Sequence, residues 1–188
     1  LFVLPCIAGH VGADTAGVIL AESPDSDEAM SLIVDVGTNA EIVLGNKDRL
    51  LVCSSPTGPA FEGGEISAGQ RATAGAIERV RIDRETLEPK FRVIGSELWS
   101  TEAGFEDSTK ELNITGICGS GIIEVVAEMF LAGIISEDGI VDGALAERSS
   151  RVRSHGRTWS YVLHFAEDET QRDIVVTQND VRQIQLAK

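Results

Sequence analysis

One stretch constrains this chain more than any other: Ser31-Leu-Ile-Val-Asp35-Val-Gly37-Thr38-Asn39-Ala-Glu41-Ile-Val-Leu44. An apolar run ends in an acid and a glycine, and a second run returns after a tight turn. Gly45-Asn46-Lys47-Asp48 then has hairpin-turn chemistry, and Arg49 to Ser54 reads as a third strand. The pattern predicts an antiparallel meander that carries Asp35 to the end of a buried strand. In that arrangement the turn amides and the Thr38 and Asn39 side chains can face a phosphate. Asp35 can hold the water shell of Mg²⁺, which prefers oxygen ligands and keeps several waters. The same residues also fit a plain hairpin with Asp35 capping its turn.

Composition narrows the rest. The 188 residues carry 16 Lys+Arg and 30 Asp+Glu, a formal charge of −14, which argues against nucleic acid or an anionic membrane as partner. With 43% hydrophobic and 24% charged residues, wholesale disorder is excluded. Cys6, Cys53 and Cys118 form no CxxC and no cluster with histidine, so this chain alone is not expected to build a metal–sulfur site. Scattered thiols fit a reducing, cytoplasmic setting. The apolar opening, Leu1 to Ala8, is broken by Pro5 and falls far short of the roughly 20 residues that span a bilayer. It also lacks the basic start of a signal peptide.

Along the chain, residues 1–8 read as a short buried strand and Ala13 to Ala21 as a helix of small residues led by Asp14. An acidic loop follows at Glu22 to Glu28. Residues 76–82 and 91–95 alternate as strands around a turn at Glu85 to Lys90, and 96–113 is polar and irregular. Gly116-Ile-Cys118-Gly119-Ser120-Gly121 opens a helix over Ile122 to Ala132, with Ile122, Val125, Val126, Met129 and Phe130 on one face. Residues 136–156 look loop-like, and Trp159 to Phe165 and Ile174 to Val176 look like strands. Thr177 and Asp180 form a capping-box-like pair before a stripe begun by Val181 and Ile184. The chain opens on Leu1 inside an apolar run and stops at Lys188 without a helix C-cap, which reads as a fragment of a longer protein.

Several features admit two roles. Gly119-Ser120-Gly121 before a helix can bind an anion at the positive end of the dipole, or pack closely against a neighbouring strand. Glu62-Gly63-Gly64 can line a ligand cleft or form a turn. Asp14 can serve as an N-cap or first-turn acid of its helix. Cys118 can be reactive at a helix N-terminus or simply buried. Arg148, Arg151, Arg153 and Arg157 can meet an acidic partner or phosphate, or form a solvated loop. His10, His155 and His164 are scattered and suggest no ligand set.

The order of an acid-bearing small-residue helix before the Asp35 hairpin resembles the actin-like ATPase superfamily of sugar kinases, heat-shock chaperones and actin. The series continues with Thr57-Gly-Pro-Ala-Phe-Glu62-Gly63-Gly64-Glu-Ile-Ser-Ala-Gly69, Ala74-Gly-Ala-Ile-Glu78 and Thr115-Gly-Ile-Cys-Gly-Ser-Gly-Ile-Ile-Glu124. Together these are similar to the C-terminal ATPase region of the reductive activators of corrinoid proteins, from about Pro5 to Ala132 and again from Val176 to Lys188.

That resemblance implies an α/β fold: an actin-like, RNase H-like lobe with a mixed β-sheet flanked by helices. Residues 1–22 would be a connecting strand and helix, and 31–132 the phosphate-loop hairpin sheet with its glycine-started helix. Residues 133–172 would be a variable loop region and strand, and 173–188 the start of a helix. It implies ATP and Mg²⁺, with Asp14 orienting a water. Asp35, Gly37, Thr38, Asn39, Gly63, Gly64, Gly119, Ser120 and Gly121 would lie around the nucleotide. It further implies an iron–sulfur cluster in a separate domain, a corrinoid methyltransfer protein as partner, and reduction of cob(II) to cob(I). A homodimer stays open. A small-molecule kinase of the same superfamily and a non-catalytic docking lobe are the competing readings.

Overall fold

The computed structural model describes residues 3–166 and 171–187. It divides at Gly58/Pro59 into two compact units.

The first unit begins without the expected strand. Residues 3–7 pair with no strand among the described residues, Val3 is 74% exposed, and only an Ala8–Val11 bridge closes the first turn. A strand needs a ladder partner, and Pro5 has no N–H to offer one. Leu1 and Phe2 lie outside the described residues. Helix α1 (Ala13–Glu22) follows, then a single 3-10 turn at Pro24–Ser26. Strands β1 (Ser31–Val36), β2 (Asn39–Asn46) and β3 (Arg49–Pro56) form the expected antiparallel meander in the order β1-β2-β3, but β1 is not the buried strand expected: its residues alternate between half-buried and exposed. The second hairpin is tight because Gly45 lacks a side chain: a Cβ there would sit 2.0 Å from the Arg49 carbonyl oxygen. Lys47 ties this turn to the acidic loop through the Asp27 carbonyl and the Glu28 carboxylate, 2.8 and 2.7 Å away.

The second unit holds most of the buried core. A 3-10 turn at Pro59–Glu62 leads to β4 (Ile77–Ile82) and β5 (Pro89–Val93), an antiparallel pair. Helix α2 (Phe105–Thr109) sits in the stretch expected to be irregular. At five residues it is too short to show a helical period. It is held by the Thr109 hydroxyl on the Phe105 carbonyl and by an edge-on contact of the Phe105 and Phe91 rings.

Helix α3 (Gly119–Leu131) buries Ile122, Val125 and Met129 as expected, whereas Phe130 is exposed. Strands β6 (Val152–His155), β7 (Thr158–His164) and β8 (Ile174–Thr177) form a further, three-stranded antiparallel sheet. Parallel pairing appears where Ile117 bridges both Gly69 and Ile77, so the strands are distributed over small sheets rather than one. Strand β6 was expected as loop. Only Val152 of its four residues is buried, so no alternation marks it; it forms because Gly156, at φ +63°, turns it onto the edge of β7. Helix α4 (Gln178–Leu186) starts with the expected capping box between Thr177 and Asp180.

Side chains from α3, β4, β5, β7, β8 and α4 share one core, centred on Ile77, Ile117, Ile122, Tyr161, Val176 and Val181. Among the described residues no helix is long and apolar enough to cross a membrane.

Candidate functional site

In the first unit the β1–β2 turn is built from Gly37 and Thr38. Its Gly37 N–H donates to the Asn39 carbonyl at 2.9 Å. A residue not singled out from sequence braces it: the Thr57 hydroxyl donates to the Gly37 and Thr38 carbonyls at 2.5 and 3.0 Å. The Thr57 and Gly58 N–H groups also converge on the Thr38 carbonyl, at 3.1 and 2.9 Å. This spends the turn's carbonyl oxygens inward and leaves Thr38 and Asn39 exposed at its tip.

The register sets Asp35 opposite Glu41, and Glu41 opposite Ser54. Two carboxylates thus stand side by side on one sheet face, an arrangement that costs a sheet stability unless a cation or donor offsets it. The Ser54 hydroxyl donates to Glu41 at 2.8 Å. Glu41 is therefore a candidate ligand beside Asp35. Its signal in the sequence is the two-residue turn, which puts positions 35 and 41 face to face.

Asp14 occupies the first turn of α1, exposed, with its carboxylate accepting from the Thr15 N–H at 2.8 Å. That is the geometry of a first-turn acid balancing the helix dipole. Gly12 before it is the N-cap, and a Cβ there would lie 2.5 Å from the Asp14 carboxylate.

The glycines of the second unit have packing reasons. Gly63, at φ +79°, and Gly64 form a turn in which their N–H groups donate to the Ala60 and Pro59 carbonyls at 3.0 and 2.8 Å. These amides are committed to the turn. At the start of α3, a Cβ on Gly119 would lie 1.9 Å from the Phe61 carbonyl oxygen, and one on Gly121 2.2 Å from that of Ile77. Both glycines let the helix end approach backbone. Ser120 is exposed, with its hydroxyl 3.3 Å from the Cys118 sulfur. Cys118 is buried and its thiol donates to the Ile77 carbonyl at 3.3 Å, as the packing reading requires.

The arginine cluster is not a free basic patch. Arg148 bonds to the Arg84 and Glu85 carbonyls. Arg151 reaches Glu88 at 2.7 Å and the Val162 and Leu163 carbonyls at 3.0 and 3.2 Å, and Arg153 pairs with Asp173 at 3.0 Å. Both Arg151 and Arg153 also cover the Phe165 ring. Three of the four arginines therefore staple β6 and β7 to neighbouring loops. Among the described residues no three His, Cys, Asp or Glu side chains cluster as a metal site.

Three relationships bear on this geometry. The corrinoid activation enzyme RamQ of Eubacterium limosum is 34% identical over 191 residues, which cover 98% of this chain and 29% of RamQ. A Co(II) methylated amine-specific corrinoid protein reductase of Methanosarcina barkeri is 31% identical over 144 residues, covering 73% of this chain and 26% of the reductase. Among solved structures, a reductive activator for a corrinoid, iron–sulfur protein superposes with a TM-score of 0.81 at 36% identity, over 96% of this chain and 26% of that one. The chain thus spans less than a third of the length of these relatives. Its α/β architecture is that of an actin-like ATPase lobe, and residues 29–188 match the model described as the C-terminal domain of RACo, the ASKHA domain. The chain belongs to that family.

Proposed function

We propose that this chain is the nucleotide-binding part of an ATP-dependent reductive activator that returns a corrinoid protein from cob(II) to cob(I). One electron enters the corrinoid cobalt in that step, and nucleotide turnover drives a transfer otherwise too uphill for the donor. The reading rests on the Asp35–Asn39 turn, braced by Thr57, in a chain of the RACo C-terminal family.

The residues present fit Mg-nucleotide. Mg²⁺ binds through one or two carboxylates and keeps its waters, and Asp35 with Glu41 supplies such a pair. Thr38 and Asn39 would offer their polar side chains to phosphate oxygens at the turn. Gly37 shapes that turn in the first unit; in the second unit, taken by itself, Gly63 and Gly64 form a turn and Gly119, Ser120 and Gly121 present the positive end of α3. Asp14 would orient a metal-bound or attacking water. The residues do not fit an iron–sulfur cluster, since Cys6 and Cys53 are exposed, Cys118 is buried, and the described residues gather no ligand set. In this reading the electron donor is an iron–sulfur cluster in a separate domain. The partner is a corrinoid methyltransfer protein, and the setting is the cytoplasm.

In the full-length protein, Asp35→Asn and Asp14→Ala should each slow ATP turnover by at least ~10-fold, or ~1.4 kcal/mol in the barrier. Loss of ATP-dependent cob(I) formation, followed by absorbance, should accompany it. Unchanged ATPase rates in both purified variants would remove the assignment. ATP-dependent phosphorylation of a small molecule, with no response to a corrinoid protein, would replace it with a kinase.

A further inference from the structure

Asp180 does more than cap α4. Its side chain lies in a fully buried residue, and four donors surround the carboxylate. Two come from its own cap, the Thr177 N–H and hydroxyl at 2.7 and 2.8 Å. The other two come from Ser67, whose N–H donates at 2.8 Å and whose hydroxyl donates at 3.0 Å. The Ser67 hydroxyl also lies 3.3 Å from that of Thr177. The capping box itself needs only the Thr177 N–H on the Asp180 carboxylate and the Asp180 N–H on the Thr177 hydroxyl oxygen, at 2.7 and 3.2 Å. The Ser67 pair joins residues 113 positions apart.

What Ser67 belongs to gives the contact its meaning. It lies two residues beyond the Gly63–Glu65 turn, in which Glu65 sits at φ +60° without being a glycine. Left-handed backbone is costly for a residue with a Cβ, and it persists where surrounding contacts over-determine it. Glu65 and Ser67 are both exposed, so burial of their own side chains does not hold them. Two anchors flank the strained residue: Gly63 and Gly64, packed on Gln70 and Pro59, and Ile66 with Ser67, one in the core and the other on Asp180.

We infer that Asp180 is a positioning residue for the Gly63–Gly64 turn, acting through Ser67, and that this latch sets how the lobe responds to nucleotide. The inference rests on the nucleotide reading above, in which that turn shapes the site. Hydrogen bonds to a carboxylate are the strong class, comparable in size to the strain at a single left-handed residue.

The test uses the full-length protein and Ser67→Ala, which removes one donor to Asp180 and leaves the Thr177–Asp180 cap intact. The variant should need about tenfold more ATP for half-maximal turnover. It should also speed hydrogen exchange at the Gly63–Ser67 amides, with its melting temperature close to that of the parent. Ser67→Thr, which keeps the hydroxyl, should restore the parent's ATP dependence. Asp180→Asn should show the same defect more strongly. A Ser67→Ala variant with the parent's ATP dependence would overturn the latch, and so would one whose loss Ser67→Thr fails to rescue. A parent that neither binds nor hydrolyses ATP would instead overturn the nucleotide reading, and the inference with it.

Discussion

Tyr161 shows how much one buried hydroxyl can organise. Its O–H donates to the Leu87 carbonyl at 2.9 Å, and Leu87 is itself buried in left-handed backbone at φ +62°. Tyr161→Phe should therefore cost about 1–3 kcal/mol, the penalty for leaving that carbonyl dry and unpartnered. Urea titration of the two proteins measures it. Burial pushes the phenol's pKa up, with Arg151 partly offsetting the shift. The neutral phenol is the form the fold holds. Its contribution is intact below the free value of about 10 and is lost as pH rises beyond it toward the folded value. Stability measured above that pH should fall less steeply in Tyr161→Phe than in the parent. Gly119 and Gly121 carry a related lesson. Their spacing before a helix suited anion binding and close packing equally. The deciding atoms, the Phe61 and Ile77 carbonyl oxygens, come from segments 58 and 44 residues earlier.

At the level of elements, α3 supplies what β4 lacks. Strand β4 pairs with β5 along one edge, and on the other its Val80 and Ile82 N–H groups donate to the carboxylates of Glu124 and Glu128 at 2.8 and 3.0 Å. The two acids, one helical turn apart, thus cap an open strand edge that would otherwise invite pairing with another chain. Glu124 also binds Arg79 and Arg81, each at 2.8 Å. Glu124→Ala should destabilise the chain by about 1–3 kcal/mol through the stranded Val80 N–H. Glu124→Gln, which keeps an acceptor there, should cost less. Equal midpoints for both variants in urea would show that the edge is held some other way. The helix was legible from its apolar stripe, but the use of its acids was not, because an exposed-looking Glu at this spacing reads as solvated surface. The arginines of β6 and its flanks were open between partner binding and solvation for the same reason. Structure assigns Arg148, Arg151 and Arg153 to intramolecular carbonyls and carboxylates.

At the scale of the whole molecule, one sheet face stands out. The β1–β2–β3 register aligns Leu32, Leu44 and Leu51 in one row and Val34, Ile42 and Cys53 in the next. Leu32, Val34, Leu44 and Leu51 are all exposed. A contiguous apolar sheet face of this kind drives association. The 188-residue chain on its own should self-associate with rising concentration, and Leu32→Lys combined with Leu51→Lys should suppress this. Sedimentation velocity over a concentration series is the check, and a monomer at every concentration would refute it. The meander, the glycine-started helix and the capping box were determined by the sequence alone, since turn residues, apolar periodicity and caps act over a few neighbours. The pairing of Asp35 with Glu41 needed only a register count. Residues 3–7, α2 and β6 lay beyond such reasoning, because a short element exists only if a distant segment offers it an edge or a core. The same holds for the Thr57 brace and the Ser67–Asp180 latch. Their partners lie 20 and 113 residues away, and only the folded chain brings donor and acceptor within hydrogen-bond reach.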